Sequence, residues 1–180
     1  MTRAVFLDRD GVLNKALIRN GKPYSPDTIE EMVIVPDGAA ALSRLRQHSF
    51  RLIVATNQPD IARGLLTRGL VDAMNSHLRR KLPLDAVEVC EHSDEDHCDC
   101  RKPQPGMLLR AAKRDGIALA ESFMVGDRWR DIEAGRRANC RTILIGDGYG
   151  EQFLSPPDVT VDTLSEAVDW ILDQPVNAQD

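Results

Sequence analysis

Two aspartates stand two residues apart just after the first apolar run of this chain, Asp8 and Asp10 in Phe6-Leu7-Asp8-Arg9-Asp10-Gly11. Carboxylates at i and i+2 beyond a strand end can face one centre. They repel unless a cation lies between them, and Mg2+ is the usual hard, oxygen-seeking choice. Gly11 then lets the backbone turn sharply. Three more polar clusters follow apolar runs in the same way. Thr56-Asn57-Gln58 offers a hydroxyl and backbone amides to phosphate oxygens. Arg101-Lys102-Pro103 offers two cations for phosphate charge. Gly126-Asp127, with Asp131 four residues on, completes a metal site with Asp8. Any one of these pieces is commonly a turn or a cap. Four in order, each at the end of an expected strand, point to a site, because parallel sheets bind beyond the carboxyl ends of their strands.

A second constellation is Cys90-Glu91-His92-Ser93-Asp94-Glu95-Asp96-His97-Cys98-Asp99-Cys100. Two pairs spaced i, i+2 can point the same way from two extended arms. Cys90, His92, Cys98 and Cys100 make the closed tetrahedral set of a structural Zn2+ site. His97 is a fifth candidate, and its place beside Cys98 turns it away. Cys140 precedes an apolar strand and reads as a small buried hydrophobe.

The elements that must hold these residues are legible as alternation. Apolar runs at Ala4–Leu7, Leu52–Thr56, Ala86–Cys90, Phe123–Gly126 and Arg141–Ile145, with a weaker one at Val159–Val161, predict strands covered on both faces. Helical patterns at Asp37–His48, Thr67–Lys81, Gly106–Asp115, Asp131–Ala138 and Ser165–Leu172 separate them. The implied fold is α/β, a three-layer Rossmann-like parallel sheet. Two stretches interrupt it: residues 14–35, with a turn at Asn20-Gly21-Lys22-Pro23, and the Cys/His segment at about 90–105. Neither is long enough for a large cap, so a single domain, 1–180, with a small flap and a zinc-binding loop is expected.

Composition narrows the partners. The chain has 180 residues, 42% hydrophobic and 28% charged, with a formal net charge of −5. That acidic balance disfavours nucleic acid. No apolar run approaches the roughly 20 residues that span a bilayer, and the N-terminus has no signal-peptide pattern. A cytoplasmic monomer acting on a small phosphorylated substrate, away from any membrane, is expected.

Asp8-Arg9-Asp10-Gly11-Val12-Leu13-Asn14, Thr56-Asn57-Gln58, Arg101-Lys102-Pro103 and Gly126-Asp127-Arg128-Trp129-Arg130-Asp131 resemble the four motifs of the haloacid dehalogenase superfamily. The resemblance covers nearly the whole chain. Within that superfamily the chain is most similar to the D-glycero-D-manno-heptose-1,7-bisphosphate phosphatases and their histidinol-phosphate phosphatase relatives. The resemblance implies an Mg2+-dependent phosphomonoester hydrolase acting through an aspartyl-phosphate. Asp8 would be the nucleophile and Asp10 the acid and base. Asp8, the backbone carbonyl of Asp10, and Asp127 would hold Mg2+. Thr56 and Lys102 would steady the phosphoryl group, and Asp131 would orient Lys102 or the metal waters. Arg101 would recognise substrate, together with Asn57, Arg63 and Arg128. The zinc loop of this family has the pattern Cys-x-His…Cys-x-Cys, which implies that zinc pins the loop carrying Arg101 and Lys102.

Two sets of residues point to different substrates. Ile61-Ala62-Arg63-Gly64 and Pro103-Gln104-Pro105-Gly106 resemble the heptose branch, and the 7-phosphate of the heptose bisphosphate is the expected target. The five residues between His92 and Cys98 are nearer the histidinol-phosphate type, and Pro59-Asp60 departs from the Ser-Gly of the heptose pattern. A catalytically dead binding module on the same scaffold is the reading from another class. The intact Asp8, Asp10, Lys102 and Asp127 count against it.

Overall fold

Strands built from Val, Ile, Leu and Ala can lie in the middle of a parallel sheet only if helices cover both faces. A computed structural model, which describes residues 2–175, shows that arrangement. Strands β1 (Arg3–Leu7), β4 (Phe50–Asn57), β5 (Ala86–Cys90), β6 (Phe123–Gly126), β7 (Arg141–Ile145) and β8 (Val159–Val161) form one six-stranded sheet in the order β5-β4-β1-β6-β7-β8. Every pairing in it is parallel. The chain starts in the middle and winds outward in both directions, so the strand order reverses at β1. That reversal opens a crevice at the carboxyl edge, and Asp8 is the first residue past β1.

Alternate residues of the central strands feed two cores. Val5, Leu7, Leu52, Val54 and Val125 pack under helices α1 (Gly38–Gln47) and α5 (Leu164–Leu172). Ala4, Phe6, Ile53, Ala55 and Met124 pack under α3 (Gly106–Asp115). Helix α2 (Arg68–Lys81) is capped by Thr67, whose hydroxyl accepts the Leu70 N–H at 3.2 Å. Helix α4 (Trp129–Arg137) begins two residues before the expected Asp131. The Asp131 carboxylate accepts the N–H of extended Arg128 at 3.1 Å, so Asp131 lies in the first turn and braces it. Cys140 is buried against α3's core, and burial raises its thiol pKa to about 12.

Residues 14–35, read from sequence as a long connection, contain an antiparallel hairpin. Strands β2 (Leu17–Arg19) and β3 (Lys22–Tyr24) are joined at Asn20 and Gly21, both at positive φ. An Asn-Gly turn fits hairpin twist because both residues tolerate that region. The strands are three residues each and largely exposed, too short for the alternation that betrays a strand. Among the described residues, no helix is long and apolar enough to cross a membrane.

Candidate active site

Four strand ends meet in one cleft. Its lining includes Asp8, Asp10, Thr56, Lys102, Asp127 and Asp131, with Asn57, Arg128 and Arg130 at the outer side. The hairpin contributes Pro23, Tyr24 and Ser25 as one wall. The expected catalytic set is thus brought together by β1, β4, β6 and the loop after β5.

Lys102 is the pivot. Its side chain is 2% exposed, and its Nζ lies 2.8 Å from Asp8 Oδ1 and 2.6 Å from Asp131 Oδ1. It also donates to the Ala55 carbonyl at 2.7 Å. Burial opposes its charge, but Asp131 and Asp8 outweigh that and hold its pKa above the ordinary value. Asn57 fixes the backbone beneath it, donating to the Lys102 carbonyl and accepting from the Lys102 N–H, both at 3.0 Å. Asn57, expected as a substrate contact, thus spends its side-chain amide on the Lys102 backbone.

Asp8, Asp127 and Asp131 can bring one oxygen each within 4.8 Å of one another. A Cβ on Gly126 would overlap Asp131, and one on Gly11, at φ 95°, would overlap the Asp127 carboxylate. Both glycines exist for close approach, which sequence alone suggested only as a turn at Gly11. Burial pushes the Asp8 carboxyl up to about 7, with Lys102 pulling back and Asp131 adding to the rise. Burial and then the Asp8 and Asp131 charges raise Asp127 well above the usual carboxylate range. Its Oδ1 is buried with no hydrogen-bond partner. Three carboxylates facing one ammonium, with one oxygen left bare, are the donor set of a hard divalent cation, and Mg2+ fits it.

This charge imbalance has a measurable consequence. An acid whose folded pKa is raised binds its proton more tightly when folded, so stability falls as pH rises between the two values. Without divalent cation, the protein should therefore lose melting temperature from pH 4 to about 7, the window set by Asp8 with Asp127 adding to it. Lys102, raised from a value already far above this window, keeps its contribution throughout. Added Mg2+ should flatten the profile. Melting temperatures that are level or rising across that range in chelator would count against a strained carboxylate cluster.

Asp10 lines the same cleft but is held by its own set of donors. Arg9, fully buried, pairs with it at 3.0 Å and also donates to Asn75 of α2 at 3.1 Å. Asn14 donates to Asp10 Oδ1 at 2.9 Å; Ser25 and Gln58 donate to Oδ2 at 2.8 and 2.9 Å. Burial alone would raise the Asp10 pKa; the Arg9 charge and these donors reverse that and hold it low. Gln58 also donates to the buried Thr56 hydroxyl at 2.9 Å. Sequence reasoning assigned no role to Arg9, Ser25 or Asn75. Arg9 carried a signal, a cation set between the two carboxylates of the strand-end motif. Ser25 and Asn75 carried none, because their relevance depends on where the hairpin and α2 land.

The Cys/His segment closes on itself. Cys100 Sγ lies 3.1 Å from Cys90 Sγ, 3.5 Å from Cys98 Sγ and 3.4 Å from His92 Nδ1. Cys90 lies 3.7 Å from Cys98 and 3.6 Å from His92 Nδ1. A tetrahedral Zn2+ with Zn–S near 2.3 Å needs edges of about 3.8 Å, so these four atoms fit the ion with slight expansion. His97 is exposed and outside the cluster, which favours His92 as the nitrogen.

The four expected substrate arginines and amides are unequal. Arg101 and Arg130 both hold Asp94, at 2.9 and 2.7 Å, on the rim between the zinc loop and the cleft. Arg128 pairs with Glu151. Arg63 is half-exposed and pairs with Asp60 at 3.1 Å, which answers the charge of the unexpected Asp60. Arg63, Arg101, Arg128, Arg130 and Lys22 line an outer vestibule together with Asp60 and Asp94.

Known proteins are similar to this chain along most of its length. A family described as HAD-hydrolase-like matches residues 99–167. The D-glycero-beta-D-manno-heptose-1,7-bisphosphate 7-phosphatase of Pseudomonas aeruginosa is 37% identical over 163 residues, covering 87% of this chain and 89% of its own. The protein of the same name from Escherichia coli K12 is 34% identical, covering 94% and 87%. The crystal structure of D,D-heptose 1,7-bisphosphate phosphatase from Bordetella bronchiseptica, complexed with magnesium and phosphate, superposes with a TM-score of 0.83 at 30% identity. It covers 95% of this chain and 98% of that one.

Proposed function

Because the chain belongs to the D-glycero-beta-D-manno-heptose-1,7-bisphosphate 7-phosphatases, a family of haloacid dehalogenase-like hydrolases, we propose that it removes the 7-phosphate of that sugar. The observation that carries the mechanism is the Asp8–Lys102–Asp131 bridge beside Asp127, whose bare Oδ1 leaves room for a cation. Asp8 and Asp127, with the Asp10 backbone carbonyl, would hold Mg2+; bound there, it would neutralise the carboxylates and the phosphoryl oxygens.

An Asp8 oxygen attacks phosphorus, a P–O bond forms, and the bond to the sugar oxygen breaks. Lys102 and Thr56 hold the equatorial oxygens, since phosphoryl transfer is mostly positioning and charge stabilisation. Asp10 gives the leaving alkoxide its proton. It then takes one from the water that hydrolyses the aspartyl-phosphate, which frees phosphate and restores Asp8. The resting Asp10, held ionised by Arg9, Asn14, Ser25 and Gln58, is in the form the second step uses. The proton for the first step enters with the phosphate monoester.

The vestibule supports a bisphosphate. Five cations there face the carboxylates of Asp60 and Asp94, so a second phosphate is attracted, whereas the amine of histidinol phosphate is repelled. A panel of heptose 1,7-bisphosphate, fructose 1,6-bisphosphate and histidinol phosphate tests this by phosphate release. The expected order puts the heptose first in kcat/KM and histidinol phosphate last, roughly tenfold or more below the heptose, the scale of one favourable charge contact. A preference for histidinol phosphate would overturn the heptose reading while leaving the phosphatase intact. The zinc site is proposed on Cys90, His92, Cys98 and Cys100 as a structural one.

A further inference from the structure

Apart from Glu151, the partner of Arg128, the loop after β7 supplies none of the groups used above, yet it reaches the centre of the site. The Tyr149 hydroxyl donates to Asp127 Oδ2 at 2.8 Å. Several features hold that tyrosine in place. It sits at φ 56°, in the left-handed region that a bulky side chain avoids, between Gly148 and Gly150 at φ 69° each. Its own N–H donates to the Asp147 carboxylate at 2.9 Å. The Phe153 ring packs on Gly148 so closely that no Cβ fits there. At the end of the same loop Glu151 grips Arg128, the residue next to Asp127. An unfavourable backbone conformation kept in place by its surroundings is characteristic of functional sites.

Asp127 is thereby fixed from two sides. The Gly11 backbone lies against its carboxylate so tightly that a Cβ would overlap Oδ2. Tyr149 occupies that same Oδ2. The remaining oxygen, Oδ1, is buried and has no partner. The two oxygens of one carboxylate are thus made inequivalent, one engaged by the protein and one left for something else.

We propose that Tyr149 is a positioning residue that makes Asp127 a one-oxygen ligand, and that it thereby favours Mg2+ over Ca2+. The inference rests on the magnesium reading above. Mg2+ demands near-ideal octahedral geometry from single oxygens, whereas Ca2+ accepts bidentate carboxylates in a looser shell. A carboxylate free to turn, or to offer both oxygens, serves Ca2+ at the expense of Mg2+. Hydrogen-bond partners of metal ligands act in this way elsewhere, and their loss typically costs about 10–100-fold in metal affinity.

The test is Tyr149→Phe, which removes one oxygen atom and keeps the ring. Mg2+ and Ca2+ are titrated separately into zinc-loaded protein stripped of Mg2+, by calorimetry or by competition with Mn2+ followed by electron paramagnetic resonance. The variant should bind Mg2+ roughly 10–100-fold more weakly and lose much less affinity for Ca2+, so that the preference narrows. At saturating Mg2+ its kcat should approach that of the unaltered enzyme. A loss shared equally by both ions would show a merely structural role and overturn the proposal, as would unchanged Mg2+ affinity. If the unaltered protein itself bound no Mg2+, the magnesium reading would fall and this inference with it. Failure of the inference alone is distinct, because there the unaltered protein binds Mg2+ and Y149F binds it equally well.

Discussion

Asp8→Asn should lower turnover by on the order of 10^4–10^6-fold, the usual cost of deleting an enzyme's nucleophile, without weakening the fold. The asparagine has the same shape, and its carbonyl oxygen can still accept from the Arg9 N–H and from Lys102, both 2.8 Å from Asp8 Oδ1. It lacks the negative charge that attacks phosphorus. The same charge is what burial and Asp131 make costly in the resting protein, where the Asp8 carboxyl is raised to about 7. Removing it also relieves Asp127, whose own rise owes its second-largest part to Asp8. Metal-free D8N should therefore melt no lower than the unaltered protein at pH 8, and its fall in melting temperature between pH 4 and 7 should be shallower. Phosphate release and thermal melts on one preparation decide the matter. Turnover within tenfold of the unaltered enzyme would remove Asp8 as nucleophile. Inactivity accompanied by a lower melting temperature would remove the claim that the cluster is strained.

The opposed effects of that substitution mark where sequence is informative. Asp8 and Asp127 are legible because each follows an apolar run, and a run of buried β residues fixes where the chain leaves the sheet; Lys102 is legible from its Arg-Lys-Pro motif beyond the Cys/His segment. The strand positions were equally legible, since both faces of Val5–Leu7 and Ile53–Ala55 are covered and allow few polar residues. The hairpin at Leu17–Tyr24 was not. It buries little, so its residues answer to solvent rather than to a pattern. What the hairpin does to the site, placing Ser25 on Asp10, follows from long-range packing that no local spacing encodes. Tyr149 was hidden for a similar reason. Gly148-Tyr149-Gly150 reads as an ordinary turn until the loop is seen against Asp127. The pairing of Asp60 with Arg63 is a smaller case. A carboxylate that looked misplaced beside an anionic substrate has its own counter-ion three residues on.

Zinc removal should cost at least about 100-fold in activity while leaving the sheet folded, although the metal touches no reacting atom. The loop from Glu91 to Cys100 is polar and mostly exposed, with a single short turn at Asp94–Asp96, so it buries too little to order itself. Without a cation its sulfurs are also poorly matched. Burial, and then the hydrogen bond from Cys100, raises the Cys90 thiol pKa far above its ordinary value, so Cys90 keeps its proton in a crowded cluster. The link to chemistry is covalent and short. The Arg101 N–H donates to Cys98 Sγ at 3.3 Å, and Lys102 is the next residue. On the other side Asn57 grips the Lys102 backbone. Lys102 therefore hangs between β4 and the metal cluster, and losing one anchor lets Nζ drift from Asp8 and Asp131. Misplacement by about 1 Å is enough to cost roughly 100-fold in a phosphoryl-transfer site that works by positioning. The ligands contribute only Cys90 and Cys100, with Cys98 at the edge, to the α3 core, and Cys90 is the last rung of the β4 and β5 ladder, so most of both persists without the ion and far-ultraviolet circular dichroism should change little. A zinc-selective chelator followed by excess Mg2+ separates the two metals, and Cys98→Ser should reproduce its effect because Cys98 is the ligand that contacts the Arg101 N–H. The loss should appear mainly in kcat, since Lys102 serves the transition state, with a smaller rise in KM through Arg101. Full activity in the zinc-free protein would mean that the β4 side alone fixes Lys102, and that the cluster serves the rim and not the phosphoryl group.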